Sequence, residues 1–260
     1  MSTLPKFSFL DDAPKGRVLC IAHRGASAYA RENSLAALQK AAELGTDMVE
    51  VDIRVTADEY PVVAHDDTLK RLYNLPHAIS DLTLRELRMQ VPDTEEPVMT
   101  FEEVALRCEA LGMGMYLDIK ALSKQSGKLM FEALDTFHLS DKCIAGSFRG
   151  DWLADLKAQR PQMPTSILFG STRVNAVQLA TSIGADYVHP CWENAAPEPH
   201  KLLTPEWLKA VREAGLGIVT WHEERPTEIE ALVNLGVNGI CSDTPDRVTA
   251  VIRKKADDSM

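Results

Sequence analysis

The feature that most constrains this chain is an alternation that runs along almost all of it: a short apolar run, then a segment with helical spacing, repeated. The apolar runs occupy residues 18–23, 47–55, 114–120, 142–148, 165–169, 185–189, 217–222 and 239–243. Helical segments lie at 32–44, 101–111, 124–137, 151–160, 172–183, 204–214 and 227–235, and another at 245–254 follows the last run. Strands covered on both faces read as continuous apolar runs, and parallel neighbours need crossover helices between them. Eight such units predict an α/β fold of the TIM type, a (β/α)8 barrel. A length of 260 residues suits one such barrel, so 1–260 reads as a single domain. Local punctuation agrees. Thr204-Pro205-Glu206 supplies an N-cap, a first-turn proline and an early acid, while Gly45 and Gly215 stand where helices end.

One stretch breaks the alternation. Residues 61–65 form another apolar run, separated from residue 55 only by the link 56–60. A parallel crossover takes about a dozen residues, so this run must return as the second strand of an antiparallel hairpin. The hairpin carries His65 back beside Asp52 and Ile53. From 66 to 100 the pattern loosens into a small insertion near the barrel mouth, with a short helix at 83–89 and turns at 74–76 and 91–97. Residues 1–16 include Pro5, Asp11, Asp12 and Pro14 and lack the apolar core of a signal peptide, so they read as a short extension lying on the barrel.

Composition removes several classes of function. The net charge of −10 and pI near 5.2, with no basic run, argue against a nucleic-acid surface. No apolar stretch reaches the ~18 residues of a membrane span. Cys20, Cys143 and Cys241 fall inside apolar runs, and the five cysteines form no Cys-x-x-Cys pair. Buried reduced thiols follow, and with them a cytoplasmic, reducing compartment.

Period-two alternation sorts the strand residues into two faces. In 47–55, Val49, Val51, Ile53 and Val55 share one face, and Glu50, Asp52 and Arg54 share the other. In 114–120, Met115, Leu117 and Ile119 face the helices, and Tyr116, Asp118 and Lys120 face inward. Unpaired charge inside a barrel is costly. Two arrangements answer that cost: a hard divalent cation such as Mg²⁺ or Ca²⁺ on Glu50, Asp52 and Asp118, or a network with Arg54 and Lys120 as counter-ions. The histidines favour a functional site. His23-Arg24-Gly25 closes the first strand, at the end of the barrel where active sites lie, and the hairpin brings His65-Asp66 to the same place. Arg24 offers planar, bidentate phosphate recognition, and with Lys120 it supplies local positive charge in an acidic chain.

With those residues in place, the sequence resembles the glycerophosphodiester phosphodiesterase family. The resemblance rests on His23-Arg24-Gly25, Glu32-Asn33, Glu50-x-Asp52 and His65-Asp66, and continues through LTLRELRMQ, FEEVA, LDIK, SFRGDWLADLKAQRP, LLTPEWLKAVREAGLGIVTW and GVNGICSDTPDRV. It covers nearly the whole chain. It implies metal-dependent hydrolysis of glycerophosphodiesters to glycerol 3-phosphate and an alcohol, with His23 and His65 as the acid/base pair. By the same resemblance Glu50, Asp52 and Asp118 bind one divalent cation, Mg²⁺ or Ca²⁺. Arg24 and Lys120 hold the phosphate, and Trp221 lines the glycerol side. Glu32 and Asn33 brace the loop after the first strand, with Asn33 capping the helix, and Asp243 and His189 are structural. The nucleophile is water or the substrate's own glycerol hydroxyl. The chain departs from the family pattern at Asp118, where glutamate is usual. It departs again at His222, Glu223 and Glu224, where a small polar residue and then an asparagine are common, and at the polar, aromatic strand end Tyr187 to Trp192. Three rival readings stand beside this one: a lysophospholipase D, a Schiff-base barrel using Lys120, and a non-catalytic barrel that binds phosphodiesters.

Overall fold

The computed structural model describes residues 18–91 and 96–257. The expected extension at 1–16 lies outside them, as does most of the turn at 91–97. Eight parallel strands close on themselves: β1 (Leu19–Ala22), β2 (Met48–Val55), β4 (Gly114–Ile119), β5 (Cys143–Ser147), β6 (Thr165–Phe169), β7 (Tyr187–Pro190), β8 (Gly217–Thr220) and β9 (Gly239–Ser242). The barrel is sealed where β1 pairs with both β2 and β9. The hairpin is present: β3 (Pro61–Val63) runs antiparallel to the end of β2, with Ile53 opposite Val63. Among the described residues no helix is long and apolar enough to cross a membrane.

The two-faced reading of the strands holds. Val49, Val51, Ile53, Met115, Leu117 and Ile119 are buried in the layer between the barrel and its helices. Each such side chain contributes about 1.5–3 kcal/mol of burial, which fixes the facing of β2 and β4. Ile21, Met48, Tyr116, Ile144, Tyr187 and Val219 plug the barrel interior. Large and small residues alternate there. An added Cβ on Gly146 would lie 2.6 Å from the Tyr116 hydroxyl, and one on Gly217 would lie 2.3 Å from the Tyr187 ring. Gly146→Ala should therefore lower stability by about 1–3 kcal/mol through overpacking, read as a lower urea midpoint at unchanged m. A midpoint equal to wild type would show that Tyr116 has room to move.

Helix boundaries move by a few residues, for local reasons. The helix expected at 32–44 spans Leu35–Glu43, because Ser34, not Asn33, accepts the Ala37 N–H as its cap. The helix expected from 172 begins at Ala176, where Asn175 caps it. The insertion has its own small core of Val62, Leu69, Ile79, Leu82, Leu87 and Val98. Its helix, Leu84–Gln90, opens with a capping box from Thr83 and Glu86.

Candidate active site

The C-terminal ends of the strands bring the candidate residues together. Asp52 and Asp118 are register partners on adjacent β2 and β4, and Glu50 lies one inward position below Asp52. One oxygen from each of Glu50, Asp52 and Asp118 lies within 4.8 Å of the other two, and all three residues are buried. Burial pushes the Glu50 carboxyl well above its usual range, and Asp52 and Asp118 add to that. Burial likewise raises Asp118, only partly opposed by Lys120. Asp52 goes the other way: burial would raise it, but Lys120 and Arg24 hold it down. Lys120 Nζ donates to Asp118 Oδ2 at 2.6 Å and stands 3.2 Å from Asp52 Oδ1. Even so, Glu50 Oε1, Asp52 Oδ1 and Asp118 Oδ1 are buried without a hydrogen bond among the described residues. Three clustered oxygen donors with unused lone pairs suit a hard cation such as Mg²⁺ or Ca²⁺.

The counter-ion network is only half as expected. Lys120 joins it, but Arg54 turns away to donate to the His65 carbonyl at 3.1 and 2.7 Å. Arg24 takes that place, with Nε 3.3 Å from Asp52 Oδ2. Its backbone N–H donates to Glu50 Oε2 at 2.8 Å. The turn that aims this N–H inward puts Arg24 at φ 55° and Gly25 at φ 81°. Left-handed backbone is uncommon outside glycine and often marks functional loops. A Cβ on Gly25 would lie within 2.9 Å of the Ala37 backbone, so only glycine fits there.

Each predicted histidine is oriented by a carboxylate. His65 Nδ1 meets Asp66 at 2.8 Å. A chain of contacts then fixes this pair to the loop after β1: Arg71 reaches Asp66 at 2.6 Å and Glu32 at 2.9 Å, and Glu32 accepts from Arg24 at 3.2 Å. Glu32 is thus the brace the sequence suggests. Asn33 is not a cap; its amide donates to Asp52 Oδ2 at 2.9 Å. His23 Nδ1 meets Asp243 Oδ1 at 2.6 Å, while its Nε2 is buried 3.9 Å from Glu50. Burial lowers the His23 pKa, despite the opposing pull of Asp243. Burial alone would raise Asp243, but the His23 and Ser27 hydrogen bonds bring its carboxyl down to about 2.

Asp243 is the residue that sequence reasoning left outside the site. The available signal was its position at the C-terminal end of the last strand, which closes against the strand carrying His23. Trp221 stands over this group, 5.4 Å from the His23 ring and 5.7 Å from Lys120 Nζ. Phe148, 52% exposed at the end of β5, is 6.1 Å from Trp221 and extends the aromatic wall. His189 is fully buried against the Tyr116 hydroxyl at 2.6 Å. Burial depresses its pKa to about 3, so it stays neutral.

Known proteins of one family resemble this chain. The family model for the glycerophosphoryl diester phosphodiesterase family matches residues 23–247. A glycerophosphodiester phosphodiesterase of Caldanaerobacter subterraneus subsp. tengcongensis is 27% identical over 248 residues, covering 92% of this chain and 99% of the relative. The glycerophosphodiester phosphodiesterase 1 of Bos taurus is 35% identical over 239 residues, 80% of this chain and 72% of the relative. Among solved structures, an Oleispira antarctica phosphodiesterase in complex with its product sn-glycerol-3-phosphate superimposes with a TM-score of 0.79 at 22% identity, covering 91% of this chain and 97% of that one.

Proposed function

The chain belongs to the glycerophosphoryl diester phosphodiesterase family, and from that premise we propose that it hydrolyses water-soluble glycerophosphodiesters to glycerol 3-phosphate and an alcohol by metal-assisted histidine acid/base catalysis. The observation that carries this reading is the pair of carboxylate-oriented histidines, His23 with Asp243 and His65 with Asp66, beside three buried acids with unused oxygens. Glu50, Asp52 and Asp118 would hold one divalent cation, Mg²⁺ or Ca²⁺. When bound, such an ion supplies positive charge to the phosphoryl oxygens.

The chain's own residues divide the remaining work. Asp243 accepts the Nδ1–H of His23, which leaves a lone pair on the buried Nε2, and burial keeps that ring neutral. His23 Nε2 therefore takes the proton of the incoming hydroxyl as its oxygen bonds to phosphorus. Asp66 orients His65, whose proton passes to the departing alcohol oxygen as the old P–O bond breaks. Arg24 and Lys120 offset charge on the phosphate. Trp221 and Phe148 give the glycerol backbone an apolar wall. The barrel acts as one domain, and the buried thiols of Cys108, Cys143 and Cys241 support a cytoplasmic location.

Two of the rivals lack a supporting feature. A Schiff-base lysine needs a lowered pKa. Burial would lower Lys120, but Asp52 and Asp118 outweigh it and hold the amine charged. A lysophospholipase D needs continuous apolar surface for an acyl chain, each methylene contributing ~0.8 kcal/mol. The mouth instead carries Asp66, Arg71, His222 and Glu224. The test is a panel of glycerophosphodiesters and matching lysophospholipids, assayed for glycerol phosphate with and without chelator. We expect kcat/KM for the soluble diester to exceed that for the lysolipid measured below its critical micelle concentration. A preference for the lysolipid would move the chain to the lysophospholipase D reading, and no turnover of any diester would support the non-catalytic one.

A further inference from the structure

The site has a third imidazole–carboxylate pair, which the reaction above does not use. His222, next to Trp221 past the end of β8, places Nδ1 3.1 Å from Glu224. Glu224 also accepts the backbone N–H of Asp243 at 2.9 Å, so the pair is tied to the same strand end as His23. The His222 ring stacks on His23 with centroids 4.9 Å apart and planes 12° from parallel.

Nδ1 of His23 meets Asp243 at 2.6 Å, whereas Nδ1 of His222 meets Glu224 at 3.1 Å and stands 3.9 Å from Asp243. In each ring Nε2 lies across from the Nδ1 that its carboxylate engages, so it is the nitrogen left for a substrate. The Nε2 of His23 lies at the reaction centre, 3.9 Å from Glu50. Side-chain exposure rises from 6% at His23 to 31% at His222, so the stack leads from the buried centre to the mouth. Both rings pack on His23, but beyond it Trp221 leans toward Lys120 and His189, whereas His222 leans toward Glu224 and Asp243. If Trp221 lines the glycerol side, His222 faces the other half of the diester.

A second metal site is the obvious alternative, because ligand atoms of His23, His222 and Asp243 lie within 4.8 Å of one another. Ring geometry opposes it. An imidazole lone pair lies in the plane of its ring, and two nearly parallel stacked planes do not converge on one ion.

Resting on the phosphodiesterase reading, we propose that His222 is a specificity-determining residue whose Nε2 hydrogen-bonds a hydroxyl of the leaving alcohol, so that polyol diesters are preferred over quaternary-ammonium ones. Since the carboxylate of Glu224 accepts Nδ1–H, Nε2 bears a lone pair in the neutral ring and an N–H in the charged ring. A hydroxyl pairs with either form. A trimethylammonium group pairs with neither, and it would strip water from Nε2 without replacing the hydrogen bond. Burial lowers the His222 pKa, but Glu224 and Asp243 outweigh it and favour the charged ring, which also repels a cationic headgroup.

The test compares kcat/KM for glycerophosphoglycerol, glycerophosphoinositol and glycerophosphocholine in wild type, His222→Phe and His222→Gln. Phenylalanine keeps a stacking ring without nitrogen; glutamine restores a donor and an acceptor. We expect wild type to favour the two polyol diesters, His222→Phe to cut the polyol-to-choline ratio about ten-fold, mainly through KM, and His222→Gln to recover most of it. Wild-type preference for glycerophosphocholine would overturn the proposal without any variant. An unchanged ratio in His222→Phe would also overturn it, since a uniform loss means that His222 only supports His23. Inactivity of wild type on all three diesters would instead bring down the phosphodiesterase reading itself.

Discussion

Replacing His23 by alanine should lower kcat by about 10²–10⁴-fold, and His65→Ala should do the same, because each change removes one positioned proton carrier. The thermal midpoint should shift little. Asp243 keeps its hydrogen bond from Ser27 when His23 is lost, and Asp66 keeps Arg71 when His65 is lost. Circular-dichroism melting together with steady-state assay separates the two effects. Asp243→Asn provides a graded control. An asparagine amide oxygen can still accept from Nδ1–H, but without the negative charge, and its NH₂ offers the competing tautomer a donor. We expect activity to fall by about 10²–10⁴-fold, since replacing the carboxylate that holds a general-base histidine in its tautomer can cost as much as about 10⁴. Near wild-type turnover in His23→Ala would remove that ring from the mechanism, whatever its geometry.

Exhaustive chelation should have an effect of similar size. Three buried carboxylates face one another with Lys120 and Arg24 as close counter-charges, and burial drives Glu50 toward its neutral form. A divalent ion on these acids would resolve that conflict and supply positive charge to the phosphoryl oxygens, a contribution of several kcal/mol, so its removal should cost about 10²-fold or more. Mg²⁺ or Ca²⁺ should restore turnover, and calorimetry should find one ion bound per chain. The same ion should raise the melting temperature, since it binds only the folded acids. Asp118→Glu should be tolerated better than Asp118→Asn, because the first keeps the charge and the second discards it. Full activity in a chelated protein shown by elemental analysis to be metal-free would leave the three acids as a purely internal network.

These expectations draw on different levels of the molecule. The barrel, its hairpin and the inward facing of Glu50, Asp52 and Asp118 were legible in the sequence, because strand alternation and the shortness of the 56–60 link are local facts. A strand with valine and isoleucine on every second position has one way to face helices that must be covered. His23 and His65 were legible too, since chain order alone puts them at strand ends. The contacts that orient them were not equally so. Asp66 follows His65 directly, but Asp243 lies 220 residues from His23, and the two meet only because β9 closes the barrel onto β1. Asn33 reads as a helix cap beside Ser34, and only the left-handed turns at Arg24 and Asn33 aim its amide at Asp52. The stacking of His222 on His23 depends likewise on how two loops leave neighbouring strands. Sequence by itself determined which side chains enter the barrel, because periodicity is a property of each segment. Which of them touch was decided by closure, because hydrogen bonds and ring stacking depend on ångström-scale placement across strands that the chain joins only in three dimensions.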